Sequence, residues 1–135
     1  MDNNAGLYFH IPFCKNKCPY CDFFSVKYNA ECANLYAYKF DGEMKIYDCL
    51  CDAGYLCGGT PSIVESDLIC RILSEARTAF TILPESEITI ECNPSKNLYD
   101  DFKAYAKSGI NRISLGMQSA VDSERFALGR AAGKK

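Results

Sequence analysis

Three cysteines within eight residues are the feature of this chain with the clearest chemistry. Cys14, Cys18 and Cys21 lie in the run His10-Ile-Pro-Phe-Cys-Lys-Asn-Lys-Cys-Pro-Tyr-Cys-Asp-Phe23. A structural zinc site uses four protein ligands, whereas a cubane iron–sulfur cluster held by three cysteines leaves one iron free to bind another group. The triplet therefore predicts a metal centre with an open coordination position. Zinc or an adventitious metal is the alternative.

The other cysteines do not indicate a disulfide framework. The chain has nine cysteines, an odd number, and its first residues lack the basic and apolar regions of a secretory signal. Reduced thiols and a cytosolic location are therefore expected. Cys70 and Cys92 fall in apolar segments and are predicted to pack as small hydrophobic side chains. Three more are interpreted as incidental rather than metal-binding, namely Cys32, Cys49 and Cys51.

Composition limits the classes of function. With 135 residues, 48% of them hydrophobic, the chain is expected to form a single domain around one core. The net charge of −2 and the scattered basic residues argue against nucleic-acid binding. The apolar runs are too short to span a bilayer, so no membrane span is expected.

Short apolar stretches alternate with segments of helical spacing. The predicted strands are Leu7–Ile11, Tyr55–Cys57, Ile88–Cys92 and Arg112–Leu115. Ser66, Asn97 and Asp122 are predicted helix caps, Val121 and Phe126 a hydrophobic staple, and Asn34–Cys49 the helix after the triplet. This order predicts an α/β fold with a parallel sheet, right-handed crossovers and about four strand–helix units.

Every unusual motif follows one of these strands. The cysteine loop follows the first, and the others are Gly58-Gly59-Thr60-Pro61-Ser62, Glu91-Cys92-Asn93-Pro94 and Gly116-Met117-Gln118-Ser119. Because ligands gather at the carboxyl ends of parallel strands, one ligand site is expected to touch all four.

Each motif residue could bind a ligand or could have a purely structural role. Gly58 and Gly59 suit a close backbone approach to a ligand, or a simple turn. Glu91 ends an apolar strand and needs a cationic or hydrogen-bonding partner, unless it points to the surface. Gln118 can hydrogen-bond a ligand or cap a loop. His10, the only histidine, is interpreted as a strand residue buried with one satisfied ring nitrogen rather than as a metal ligand.

Taken in order, these motifs resemble the radical S-adenosylmethionine superfamily. The similarity is to the HemW-like haem chaperone branch of the oxygen-independent coproporphyrinogen oxidase family. It runs from Tyr8 to Arg130, through the CxxxCxxC triplet, the Gly-Gly-Thr-Pro-Ser and Glu-Cys-Asn-Pro segments, Gly109-Ile-Asn-Arg-Ile-Ser-Leu-Gly-Met-Gln118 and Leu128-Gly-Arg130. The family has a glycine where this chain has Cys57, so a side chain is expected to project near the glycine turn.

The resemblance implies cofactors and the residues that bind them. It assigns a [4Fe–4S] cluster to Cys14, Cys18 and Cys21, with S-adenosylmethionine on the open iron. The S-adenosylmethionine contacts that it implies are Tyr8, Tyr20, Gly58, Gly59, Thr60, Glu91, Gln118 and Arg130. Tyr8 and Tyr20 have ordinary packing as the alternative, and the histidine that this branch carries two residues after Arg130 is replaced by Ala132.

The resemblance also implies a function in haem binding and transfer. Asp22-Phe23-Phe24 follows the triplet in place of the further cysteine of coproporphyrinogen oxidases. An oxidase-like enzyme and a non-catalytic metal-binding fragment are the alternatives. The implied partners are S-adenosylmethionine, haem or porphyrin, and an electron donor such as a flavodoxin or ferredoxin. The fold expected for residues 1–135 is the N-terminal part of an incomplete partial TIM barrel, with an exposed last strand.

Overall fold

Strands and helices alternate along the chain. The computed structural model describes residues 4–44, 49–95 and 98–130. The strands are β1 Ala5–Ile11, β2 Phe13–Cys14, β3 Val26–Lys27, β4 Leu50–Gly58, β5 Thr81–Cys92 and β6 Arg112–Leu115. The helices are α1 Ala30–Met44, α2 Ser66–Ala79, α3 Leu98–Ser108 and α4 Asp122–Ala127, with one 3-10 turn at Pro61–Ile63. Within these residues, no helix is both long and apolar enough to cross a membrane.

The main sheet is parallel throughout, in the order β1-β4-β5-β6. β2 and β3 form a separate two-stranded parallel pair. The predicted α/β architecture of parallel strand–helix units is therefore confirmed. β6 lies at an edge of the sheet, and its Ile113 and Leu115 are 36% and 48% exposed, as the expectation of an uncovered last strand requires.

The core lies between one face of the sheet and helices α1 to α3. Phe9, Leu56 and Ile90 are buried on this face against helix residues such as Ile72 and Tyr105. Because side chains alternate along a strand, the residues between them point to the opposite face. That face carries Tyr8, His10, Tyr55, Cys57, Thr89 and Glu91. The sheet thus separates an apolar side from a side that carries polar groups.

Three of the predicted helix-start signals fail. Ser66 and Asp122 are the first helical residues rather than caps, because Glu65 and Val121 precede the helices and give no side-chain capping bond. The staple is also wrong, since Val121 is 51% and Phe126 is 78% exposed. Asn97 lies outside the described residues. The bounds predicted for the first helix, Asn34–Cys49, are wrong: α1 begins at Ala30, and Cys49 is not helical but accepts a backbone hydrogen bond from Thr81 directly before β4. Gly109, with φ +94°, ends α3 as predicted.

Tyr105 offers a test of the core. Its side chain is fully buried, and its hydroxyl has no hydrogen-bond partner in the described part of the chain. Burial raises the pKa of this hydroxyl, so the side chain stays neutral. We expect Tyr105→Phe to raise the free energy of unfolding by about 1 kcal/mol, because it removes an unpaired polar atom and leaves the ring. Urea denaturation measures this change, and a loss of stability would reveal a partner for the hydroxyl.

Candidate cofactor site at the carboxyl end of the sheet

The cysteine loop is closed at its base by backbone hydrogen bonds. β2 and β3 pair Phe13 with Val26 and Cys14 with Lys27. The Val26 amide donates to the Pro12 carbonyl at 2.7 Å, and the Tyr28 amide donates to the Cys14 carbonyl at 2.8 Å. Within the loop, the Cys21 amide donates to the Cys18 carbonyl at 3.1 Å. The two ends of the loop are therefore held together by the protein itself.

The glycine turn after β4 packs directly on the first residues of this loop. The Gly59 amide donates to the Ile11 carbonyl at 2.8 Å, and the Thr60 amide donates to the Phe13 carbonyl at 2.7 Å. A Cβ on Gly59 would lie 2.6 Å from the Phe13 carbonyl oxygen, and Gly58 has φ +117°. Both glycines are thus required by geometry, one for a close approach and one for its backbone conformation.

A chain of polar contacts crosses the carboxyl edge of the sheet from Cys14 to Arg130. The Cys14 sulfur lies 3.5 Å from the Thr60 hydroxyl. This hydroxyl accepts a 3.0 Å hydrogen bond from the side-chain nitrogen (Nδ2) of Asn93. The Arg130 guanidinium donates to the Asn93 side-chain oxygen at 2.7 Å and to the Tyr20 hydroxyl at 2.9 Å. Because Thr60 accepts from Asn93, its own hydrogen is free to point at the Cys14 sulfur.

Gln118 comes to the same edge from β6. It has φ +68°, and a Cβ on Gly116 would lie 2.9 Å from the Asn93 side-chain oxygen and 3.2 Å from the Gln118 amide nitrogen. The Gly116 amide donates to the Cys92 carbonyl at 2.8 Å, which fixes this turn to the end of β5. A side chain on Gly116 would therefore have to displace the ends of the Asn93 and Gln118 side chains.

Glu91 has the polar neighbours that its position requires. The Tyr55 hydroxyl donates to a Glu91 carboxylate oxygen at 2.7 Å, and this bond is the main reason that the pKa of Tyr55 rises to about 12. The Cys57 thiol contacts both Glu91 and the Tyr8 hydroxyl, and burial is the main cause of its raised pKa. Cys57 is 4% exposed, and the turn that follows it makes two backbone hydrogen bonds to the start of the cysteine loop.

His10 contacts the end of the cysteine loop. Its Nε2 lies 3.0 Å from the Phe24 carbonyl, and its Nδ1 lies 3.1 Å from the Tyr8 hydroxyl. A carbonyl only accepts, so Nε2 carries the proton and Nδ1 accepts from Tyr8. The ring also fills the space that a Cβ on Gly58 would occupy, 2.7 Å from its Cε1.

Comparison with known proteins identifies the family. The sequence profile of the Radical SAM superfamily matches residues 8–134. The chain belongs to the radical SAM superfamily. Membership implies a [4Fe–4S] cluster and S-adenosylmethionine as cofactors, and it agrees with the ordered motifs from Tyr8 to Arg130.

The relatives of this radical SAM chain lie in the branch that the motifs indicate. It is 34% identical to "Heme chaperone HemW" of Escherichia coli over 95% of its length, and 30% identical to the HemW of Mycobacterium tuberculosis over 86%. The solved structure of E. coli coproporphyrinogen III oxidase, HemN, described as a radical SAM enzyme, aligns with 94% of the chain at TM-score 0.81 and 25% identity. The chain spans about a third of the length of these relatives.

The cysteines of this radical SAM chain are compatible with a cluster. Cys14, Cys18 and Cys21 are half-buried free thiols. Among the described residues, no three histidine, cysteine or acidic side chains are grouped to hold one metal ion. In a cubane the three thiolates bind three different irons, so they need not converge on one point. Soft sulfur ligands on an open loop, beside a glycine turn, fit such a group.

The sequence did not single out two residues that make contacts at this edge of the sheet. Asn93 lies within the predicted Glu-Cys-Asn-Pro motif, yet only Glu91 was expected to act there. Tyr55 was placed in a strand without a role. The signal for both was available in strand alternation: Tyr55 shares a sheet face with Glu91, and Asn93 follows the strand end where the motifs meet.

Proposed function

We propose that this chain is part of the radical SAM core domain of a HemW-like haem chaperone that acts in the cytoplasm. Cys14, Cys18 and Cys21 hold the [4Fe–4S] cluster, and S-adenosylmethionine binds beside it. The single observation that carries this proposal is the polar chain that links Cys14 through Thr60 and Asn93 to Arg130. It connects the loop of the metal ligands to the ends of β4 and β5.

Each proposed contact has a chemical task. Glu91 attracts the ammonium group of S-adenosylmethionine, and Arg130 its carboxylate. The backbone at Gly58, Gly59 and Thr60 lies against the methionine part, Gln118 hydrogen-bonds the ribose hydroxyls, and Tyr8 and Tyr20 cover the pocket. When bound, the cluster supplies the electron for reductive cleavage of the sulfonium. The Thr60 hydroxyl donates to the Cys14 sulfur, and such hydrogen bonds tune cluster potential.

Anaerobic reconstitution with iron and sulfide tests this cofactor assignment. We expect a reduced cluster whose electron paramagnetic resonance spectrum changes when S-adenosylmethionine is added. Bound zinc alone, or a cluster indifferent to the nucleotide, would contradict the proposal.

Asn93 provides a more specific test of the polar chain. Asn93→Leu removes both the donor to Thr60 and the acceptor for Arg130, and we expect it to weaken S-adenosylmethionine binding about 10- to 100-fold. Asn93→Asp keeps a side-chain oxygen for Arg130 and should lose less of the affinity for S-adenosylmethionine. Titration of the cluster spectrum with S-adenosylmethionine measures both values. A leucine variant that binds as tightly as the original protein would show that the chain of contacts has no part in binding.

Haem is the proposed cargo of a longer protein that contains this segment. The HemW relatives support haem, while the HemN neighbour supports coproporphyrinogen as a second candidate. The absence of a further cysteine at Asp22-Phe23-Phe24 favours haem. Incubation of the longer protein with each compound distinguishes the two: stable haem binding without porphyrinogen oxidation supports the chaperone, and porphyrinogen turnover supports the oxidase.

The proposed electron donor is a flavodoxin or ferredoxin. A cleft of about 390 Å³ beside Cys14 is lined by Lys15, Lys17 and Lys27, and none of these lysines forms an ion pair with an acid in the described residues. This positive flank suits an acidic protein. Replacing the three lysines by glutamine is expected to slow cluster reduction by flavodoxin at low salt at least about tenfold. Reduction by dithionite should not change; equal slowing of both would contradict docking at this flank.

A further inference from the structure

Cys49 and Cys51 form a thiol pair that is separate from the cofactor site. Their sulfur atoms lie 3.4 Å apart. The pair lies where β4 begins, at the amino end of a parallel strand, whereas the loop of Cys14 follows the carboxyl end of β1. The sheet therefore separates these two thiols from the proposed cluster ligands. The sequence alone gave them no role.

The backbone on both sides of the pair is fixed. The Thr81 amide donates to the Cys49 carbonyl at 3.1 Å, and the Ser86 hydroxyl donates to the Cys51 carbonyl at 3.2 Å. Leu50 between them pairs with Thr81 of β5. Residues two apart along extended backbone point to the same side, so this segment holds both sulfurs on one side. Thiol proximity here follows from main-chain structure.

The two thiols differ in exposure. Cys49 is half-buried, whereas Cys51 is fully buried. Burial, together with the contact to Cys49, raises the pKa of Cys51 to about 11. A dissolved reagent therefore reaches Cys49 first. Cys51 is in place to react with whatever is attached to the Cys49 sulfur.

We propose that Cys49 and Cys51 are a reactive dithiol that low-molecular-weight disulfides such as oxidised glutathione convert to a disulfide. The Cys49 thiol loses its proton and attacks one sulfur of the reagent; a mixed disulfide forms and one glutathione thiol leaves with a proton. Cys51 then loses its proton and its sulfur attacks Cys49, which releases the second glutathione thiol. The two cysteines lose two electrons and two protons, and the reagent gains them.

The reaction needs only a small local movement. A disulfide bond is about 2.0 Å long, so the sulfurs must approach by rotation of their side chains. The Cys49 side chain is only half-buried, so it can rotate toward Cys51 without displacing the core. Because the pair is not part of the cofactor site, the proposal does not depend on the proposed function.

Protease cleavage before aspartate isolates the pair for measurement. Cleavage before Asp48 and Asp52 releases a tetrapeptide in which Cys49 and Cys51 are the only cysteines. Cleavage before Asp22 and Asp41 releases a 19-residue peptide whose only cysteine is Cys32. After treatment with oxidised glutathione and alkylation with N-ethylmaleimide, we expect the tetrapeptide to carry no label and to be two hydrogens lighter. Reduction with dithiothreitol before alkylation should restore both N-ethylmaleimide labels. The exposed Cys32 serves as the matched control, because it can only be alkylated or glutathionylated.

Cys51→Ser tests the order of the two steps. Without the second thiol, glutathione should remain attached to Cys49, and the amount of adduct should rise from traces to most of the protein. The proposal is overturned if the tetrapeptide of the original protein keeps two labels while Cys32 becomes glutathionylated. It is equally overturned if a stable glutathione adduct on Cys49 replaces the disulfide in the original protein. Both of these outcomes are measured on the original protein, so the test remains valid if the serine variant does not fold.

Discussion

Replacement of Cys14, Cys18 or Cys21 by serine is expected to abolish stable cluster assembly. Each thiolate binds a different iron, and a serine oxygen is a poor substitute because clusters select soft sulfur ligands. Iron content after anaerobic reconstitution should fall from about four atoms per chain to near zero. Visible absorption and iron analysis measure this loss.

The chain supplies a matched control for the cysteine variants. Cys32 is an exposed free cysteine in α1. Cys32→Ser is expected to retain the full cluster, because this thiol has no place among the proposed ligands. Full iron content in all three triplet variants would contradict the assignment. Loss of iron in the Cys32 variant as well would show that the cluster uses a fourth protein ligand.

Gly59→Ala is expected to damage both stability and the cofactor site. The added methyl group would lie 2.6 Å from the Phe13 carbonyl oxygen, and backbone atoms cannot move aside as a flexible side chain can. Overpacking of this kind costs about 1–3 kcal/mol of unfolding free energy. Displacement of Phe13 also moves the adjacent Cys14, so the iron content should fall. Urea denaturation and iron analysis measure the two effects.

Gly42→Ala is the control for this substitution. Gly42 lies within α1, and a Cβ there meets nothing within 4 Å. Because alanine favours a helix more than glycine does, this change should stabilise the protein by about 0.5–1 kcal/mol and leave the cluster intact. Equal behaviour of the two alanine variants would mean that the turn at Gly59 tolerates a side chain.

The sequence predicted the alternation of strands and helices along the chain better than it predicted the strand lengths. Arg112–Leu115 has the predicted bounds, but β4 runs from Leu50 to Gly58 where only Tyr55–Cys57 was expected. Asp52 and Gly54 interrupt the apolar pattern at the start of β4, and Pro84 and Glu85 do so in β5. The pairing between β4 and β5 is irregular between Cys51 and Ala53, so local sequence carried little signal for these ends.

The sequence also predicted where the four motifs meet, without revealing the contacts among them. Parallel topology was enough to bring the four motifs to one edge of the sheet. The contact between Asn93 and Arg130 joins residues 37 positions apart, and a pattern of residue types does not encode such a distance. Glu91 drew attention because a carboxylate is unusual in an apolar strand, whereas Asn93 is an ordinary turn residue. Its contacts with Thr60 and Arg130 follow from three-dimensional placement alone.

The backbone bonds between Pro12, Cys14 and the segment Val26–Tyr28 bear on how the metal centre is built and repaired. Closing a loop lowers the entropy of the chain, and here backbone hydrogen bonds hold the two ends together without a bound cluster. The loop should therefore keep its fold when the proposed cluster is lost by oxidation. We expect that a cluster lost in this way can be rebuilt on the same loop without refolding of the chain.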